Sequence, residues 1–172
     1  MVEEKYDSED ELSKERIERI RREEHKAVMI LRNEQKKIEK DAAKIAYKAK
    51  KYETKAQKHV NIAFKYKDKV NVINTKIKAI QDEIKNLTTS LKSPDNKGGE
   101  ITLVIKKKES KIAGLQAKIK AYEKKDSDHM LEASKYKEKA GKLSEASKQL
   151  NLEAEIMKKR VDRIEQTLFE SQ

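Results

Sequence analysis

From Ile38 onward, apolar and small residues recur at alternating steps of four and three: Ala42, Ile45, Ala49, Tyr52, Ala56, His59, Ala63, Tyr66, Val70, Ile73, Ile77, Ile80, Ile84, Leu87 and Leu91. That alternation keeps one stripe of a helix against a partner, and sustained over several heptads it predicts a coiled coil. A second run keeps the same rhythm without a slip. It passes through Ile101, Ile105, Lys108, Ile112, Leu115, Ile119, Tyr122, Asp126, His129, Ala133, Tyr136, Ala140, Leu143, Ser147, Leu150, Ala154, Met157, Val161, Ile164 and Leu168, roughly ten heptads. Upstream of Ile38 the seam is weaker. It reads Ile17, Ile20, Glu24, Ala27, Leu31 and Glu34, and the double step of four at Glu34, Ile38 and Ala42 is a stutter expected to unwind the coil locally.

Between the two runs lies Ser93-Pro94-Asp95-Asn96-Lys97-Gly98-Gly99-Glu100, which holds the only proline of the chain. Clustered Pro, Asn, Asp and Gly break a helix and reverse the chain. The expected fold is therefore all-α: a long two-helix antiparallel coiled-coil hairpin, an elongated rod. Residues 1–11 form an acidic tail and helix cap, 12–92 the first arm, 93–100 the turn and 101–172 the second arm. At roughly 1.5 Å per residue each arm is on the order of 100 Å long. Ser8 with Glu11 matches a capping box, and the same stretch also matches an acidic-directed kinase site.

A reversal centred on Asn96 pairs Ala42 with Leu150, Ala49 with Leu143, Tyr52 with Ala140, Ala56 with Tyr136, His59 with Ala133 and Ala63 with His129. Large meets small at nearly every step, as a close-packed seam requires. Tyr66 falls opposite Asp126, where its hydroxyl would donate to the carboxylate. On one flank Glu53 faces Lys137, Lys67 faces Glu123, Val60 faces Met130 and Asn74 faces Gln116, all complementary. A swapped dimer would use the same contacts. With this pairing, the residues up to about 19 overhang. Ile101 to Ile105 is apolar and β-branched, an unusual start for a coiled-coil arm.

Composition narrows the function classes. Charged residues make up 42% of the chain and apolar ones 35%, with two Phe, no Trp and no Cys. The absent cysteines remove disulfides, thiol catalysis and thiolate metal sites. No run approaches the roughly 20 apolar residues of a membrane span, and the N-terminus lacks a signal-peptide pattern. The expectation is a soluble intracellular protein, of the cytoplasm or of the nucleus or nucleoid. Neither a nucleophile with its base, nor a carboxylate pair in a pocket, nor a glycine-rich phosphate loop can be assembled, so no enzymatic activity, cofactor or small-molecule substrate is expected. Asp126 and His129 on the seam, with His59 across it, lack a standard metal-ligand spacing and read as register-setting polar positions, so no metal is expected.

The net charge of +11 is unevenly placed. Glu3, Glu4, Asp7, Glu9, Asp10 and Glu11 stand against Lys5 alone at the start, and lysine dominates afterwards. On one side of the first arm lie Lys44, Lys48, Lys51, Lys55, Lys58, Lys65, Lys69 and Lys76, with only Asp41 and Glu83 against them. The pairing brings Lys69 near Lys125, Lys76 near Lys118 and Lys55 near Lys139. Like charges across a flank are mildly destabilising where complementary pairs were available. These eleven lysines are the candidate nucleic-acid-binding residues, and a polyanion, whether RNA, the ribosome or DNA, is the favoured partner. The competing expectation is a protein-only scaffold or spacer, or a homodimer, working through the overhang, through Val60, Ile62 and Phe64, and through Leu103 and Val104 near the tip.

Overall fold

The computed structural model describes residues 3–92 and 98–170, with side chains from residue 9 onward. Helix α1 spans Glu3–Leu91 and helix α2 spans Gly98–Glu170, and together they form a helical hairpin with no strand among the described residues. α1 is already helical at Glu3, so Ser8 lies within the helix rather than at its cap. The Lys92 amide donates to the Thr89 carbonyl at 3.2 Å as α1 ends. Of the expected turn, residues 93–97 lie outside the described residues, and Gly98, Gly99 and Glu100 belong to the first turn of α2. The run from Ile101 to Ile105 is helical too. Thr102 returns its hydroxyl to the Gly98 carbonyl at 2.7 Å, Ile101 and Ile105 turn inward, and Leu103 and Val104 remain exposed.

The hairpin divides into two compact units, each built from both helices. The first comprises Met1–Lys51 with Ala140–Gln172, and the second Tyr52–Lys139.

In the first unit the seam departs from the expected one. Val28 is buried, with Arg21, Glu24, Leu31, Gln35 and Ile38 half-buried, whereas Ile17, Ile20, Ala27 and Glu34 are exposed. The steps from Glu24 through Val28, Leu31, Gln35 and Ile38 to Ala42 alternate four and three, so the expected stutter is absent. The reason is packing. Val28, Val161 and Leu168 form a buried cluster joined by Leu31 and Ile164. Val28 supplies more apolar surface to that cluster than Ala27 could, and choosing it carries the heptad of α2 straight through. Ser147 is buried, and its hydroxyl donates to the Ala42 carbonyl of the opposite helix at 3.0 Å, satisfying a polar group that would otherwise cost stability in the seam. Arg32 pairs with Glu165 across the unit.

This seam makes a direct prediction. Val28→Thr places a hydroxyl in the apolar cluster and is expected to cost about 1–2 kcal/mol, while Ala27→Thr on the exposed side should cost no more than about 0.5 kcal/mol. Urea unfolding followed by circular dichroism checks the order. A larger loss for Ala27→Thr would restore the alternative seam.

In the second unit, Ala56, Ala63, Ile73, Ile77, Ile80 and Ala133 are buried. Lys108 holds Glu83 in an ion pair between the helices. Its hydrogen bond and charge, with a smaller contribution from Lys111, hold the Glu83 carboxyl below its ordinary value. The expected flank pairs behave differently. Neither Glu53 with Lys137 nor Lys67 with Glu123 closes to an ion pair. The Lys67 ammonium lies instead 5.5 Å from the centre of the Phe64 ring on its own helix, a separation of one turn that brings the two side chains together.

Candidate nucleic-acid interface

The middle of the second unit is a ladder of rings supplied alternately by the two helices. Tyr52 of α1 packs on Tyr136 of α2 at 5.9 Å between centroids, and Tyr136 packs on His59 at 5.6 Å. His59 meets His129 at 5.2 Å. His129 packs on Tyr66 at 5.9 Å, and Tyr66 on Tyr122 at 5.7 Å. The ladder forms because tyrosine and histidine recur at heptad spacing on both helices while alanine fills the intervening seam positions. Ala56, Ala63 and Ala133 leave the room that the rings occupy.

At the centre, the Nδ1 atoms of His59 and His129 are 2.9 Å apart. The centroid separation is about as large as two ring radii and that distance allow, so the nitrogens meet head-on. One must donate and the other accept. A metal ion between them would need the two nitrogens further apart, and no group of three or more ligating side chains forms among the described residues. Asp126 does not receive the expected hydrogen bond from Tyr66: its Oδ1 is buried without a hydrogen-bond partner.

Four of the eleven candidate lysines gather on this ladder. The Lys55 ammonium lies 5.6 Å from the centre of Tyr52 and 5.7 Å from that of Tyr136, and Lys139 lies 5.7 and 5.8 Å from the same two rings. One step on, Lys69 sits 5.3 Å from Tyr66 and 5.5 Å from Tyr122, with Lys125 at 5.5 Å from Tyr66. Beyond them Lys69, Lys76 and Lys118 line an open groove of about 370 Å³ floored by Val72, Ile73, Leu115 and Tyr122, with Asp68 as its one carboxylate. Lys58 and Lys65 are exposed in the same unit. In the first unit Lys44, Lys48 and Lys51 are exposed, and Lys51 lies 4.9 Å from the centre of the Tyr47 ring. None of the eleven lysines forms an ion pair among the described residues.

Lys55 with Lys139, and Lys69 with Lys125, thus share tyrosine rings, a relation that heptad pairing alone does not contain. A tyrosine face attracts a cation, so these two like-charged pairs each have a shared intramolecular partner. The sequence does carry the signal: Tyr52, Tyr66, Tyr122 and Tyr136 are each followed three residues later by Lys55, Lys69, Lys125 and Lys139, a spacing that sets a helical lysine beside the ring.

The remaining candidate residues do not form one surface. Val60 and Phe64 lie one turn apart on α1, with Val60 half-buried and Phe64 exposed, while half-buried Ile62 falls on the other side of the seam. No described helix is long and apolar enough to cross a membrane. No protein-family model matches the chain, and no curated protein or solved structure shows significant similarity to it.

Proposed function

We propose that this protein is a non-enzymatic binding or bridging protein whose lysine-rich side contacts a phosphate-rich partner, RNA, the ribosome or DNA. The observation that carries the proposal is a concentration of ammonium groups outside ion pairs: eleven lysines, three in the first unit and eight in the second, none in an ion pair among the described residues. Ring faces orient several of these cations but leave their charge in place. A polyanion neutralises that charge and gains free energy by releasing its own condensed counterions. Lysine is a point charge rather than a planar fork, so such binding positions a backbone and does not read bases.

The test is fluorescence anisotropy with labelled RNA and duplex DNA at low and at near-physiological salt. Affinity is expected to fall steeply with salt. Lys51→Gln, Lys55→Gln and Lys58→Gln together should lower the salt slope by about 3 while helicity is retained. Unchanged affinity in this variant would remove these lysines from the site.

A protein-only scaffold is the second reading, favoured by one observation: Leu12, Phe64 and Leu103 are large, apolar and exposed, at 65%, 57% and 57% respectively. Apolar contacts do not weaken with salt as charge contacts do, so association that persists at high salt would favour this reading.

A further inference from the structure

In the second unit, two pairs of ammonium groups converge on shared rings. Lys55 and Lys139 each lie within 5.8 Å of the centres of both Tyr52 and Tyr136. Lys69 and Lys125 each lie within 5.5 Å of the centre of Tyr66. An ammonium carries three donors, and attraction to a ring face does not use them all. The rings thus attract the cations without neutralising them, and none of the four has a carboxylate within ion-pair distance among the described residues. Repulsion within each pair is relieved by an anion that accepts hydrogen bonds from both members, and phosphate oxygens suit that task.

Resting on the polyanion-binding function above, we propose that Lys55 with Lys139, and Lys69 with Lys125, are two preorganised phosphate clamps that select the backbone of a double-helical nucleic acid over a single strand. Two features of the ladder support the choice. The four tyrosines are half-buried and pack on one another and on the two imidazoles, which leaves less ring face for unpaired bases, the usual source of single-strand affinity. The clamps are also two heptads apart on each helix, roughly 21 Å. This is well beyond the roughly 3.4 Å rise between neighbouring phosphates of one duplex strand, so the two clamps meet separate stretches of backbone rather than adjacent phosphates. A duplex already holds those phosphates in fixed rows, whereas a single strand has to be ordered onto the two points at an entropic cost. Lys76 and Lys118 extend the row beyond the second clamp, beside the groove they line with Lys69.

The deciding experiment titrates the full chain against a labelled duplex, its separated single strand and inorganic polyphosphate over a range of salt. It compares Lys55→Gln/Lys139→Gln with Lys78→Gln/Lys120→Gln. Both double variants remove two charges, but Lys78 and Lys120 are exposed lysines of the same unit outside the candidate site. The duplex is expected to bind several-fold more tightly than the single strand. The clamp variant should lower the duplex salt slope by about 2, and the comparison variant by less than about 1. Lys55→Arg/Lys139→Arg, which keeps both charge and ring contact, should retain the wild-type slope. Equal slope losses in the two glutamine variants would overturn the clamps. Equal affinity for duplex, single strand and polyphosphate would overturn duplex selection while leaving the polyanion function standing. No binding to any of the three at low salt would overturn both.

Discussion

Tyr136→Ala is expected to lower the stability of the hairpin by about 2–4 kcal/mol. The ring packs on Tyr52 at 5.9 Å and on His59 at 5.6 Å, so truncation removes two contacts at once and opens a gap in the ladder. Alanine is a strong helix former, so the loss reports packing rather than propensity. The Lys55 and Lys139 ammonium groups, at 5.7 and 5.8 Å from this ring, lose part of what holds them together, which adds repulsion to the cavity. Tyr136→Phe keeps the ring and is expected to stay within about 0.5 kcal/mol of the wild type. Chemical unfolding monitored by circular dichroism measures both. An unaltered midpoint for Tyr136→Ala would mean that the ring is not part of the seam.

Overfilling the same seam should be nearly as costly. Ala63 is 1% exposed and sits one turn from both His59 and Tyr66 of the ladder. Ala63→Leu forces a branched side chain into space the rings occupy, with an expected loss of about 2–3 kcal/mol. Ala79→Leu is the matched control: Ala79 is an exposed position of the same helix, and its substitution should change stability by no more than about 0.5 kcal/mol. If the two substitutions proved equivalent, the alanines would be spacers of convenience rather than the sockets of the ladder.

Ala63 also shows why the architecture is legible from sequence. An alanine stands where the facing helix brings a ring, and that complementarity can be checked residue by residue once a reversal point is assumed. The upstream seam is harder to read because isoleucine does not mark it there. Ile17 and Ile20 are exposed, so their apolar character does not mark a buried stripe. The better guide was the unbroken rhythm of α2, which places Val28 beside Ile164 and Leu31 beside Val161, members of the cluster that forms there. Charge complementarity misled in the opposite sense. Glu53 and Lys137 match on paper yet make no ion pair, as expected where exposed pairs gain little in water. Conversely, Lys55 and Lys139 look mismatched as charges, and the rings they share, Tyr52 and Tyr136, are partners that a charge column does not show.

The unbroken alternation from Glu24 to Leu91 also bears on how such a chain can change length over generations. In an antiparallel pair, one residue inserted in either helix displaces every partner beyond it and turns the stripe away from its mate. A heptad removed from both helices at matched positions restores every remaining contact. Relatives of different size should therefore differ by paired steps of about seven residues, with each loss in α1 mirrored by one in α2. Such deletions inherit the clamp spacing unchanged only when they fall outside the stretches from Tyr52 to Lys69 and from Tyr122 to Lys139.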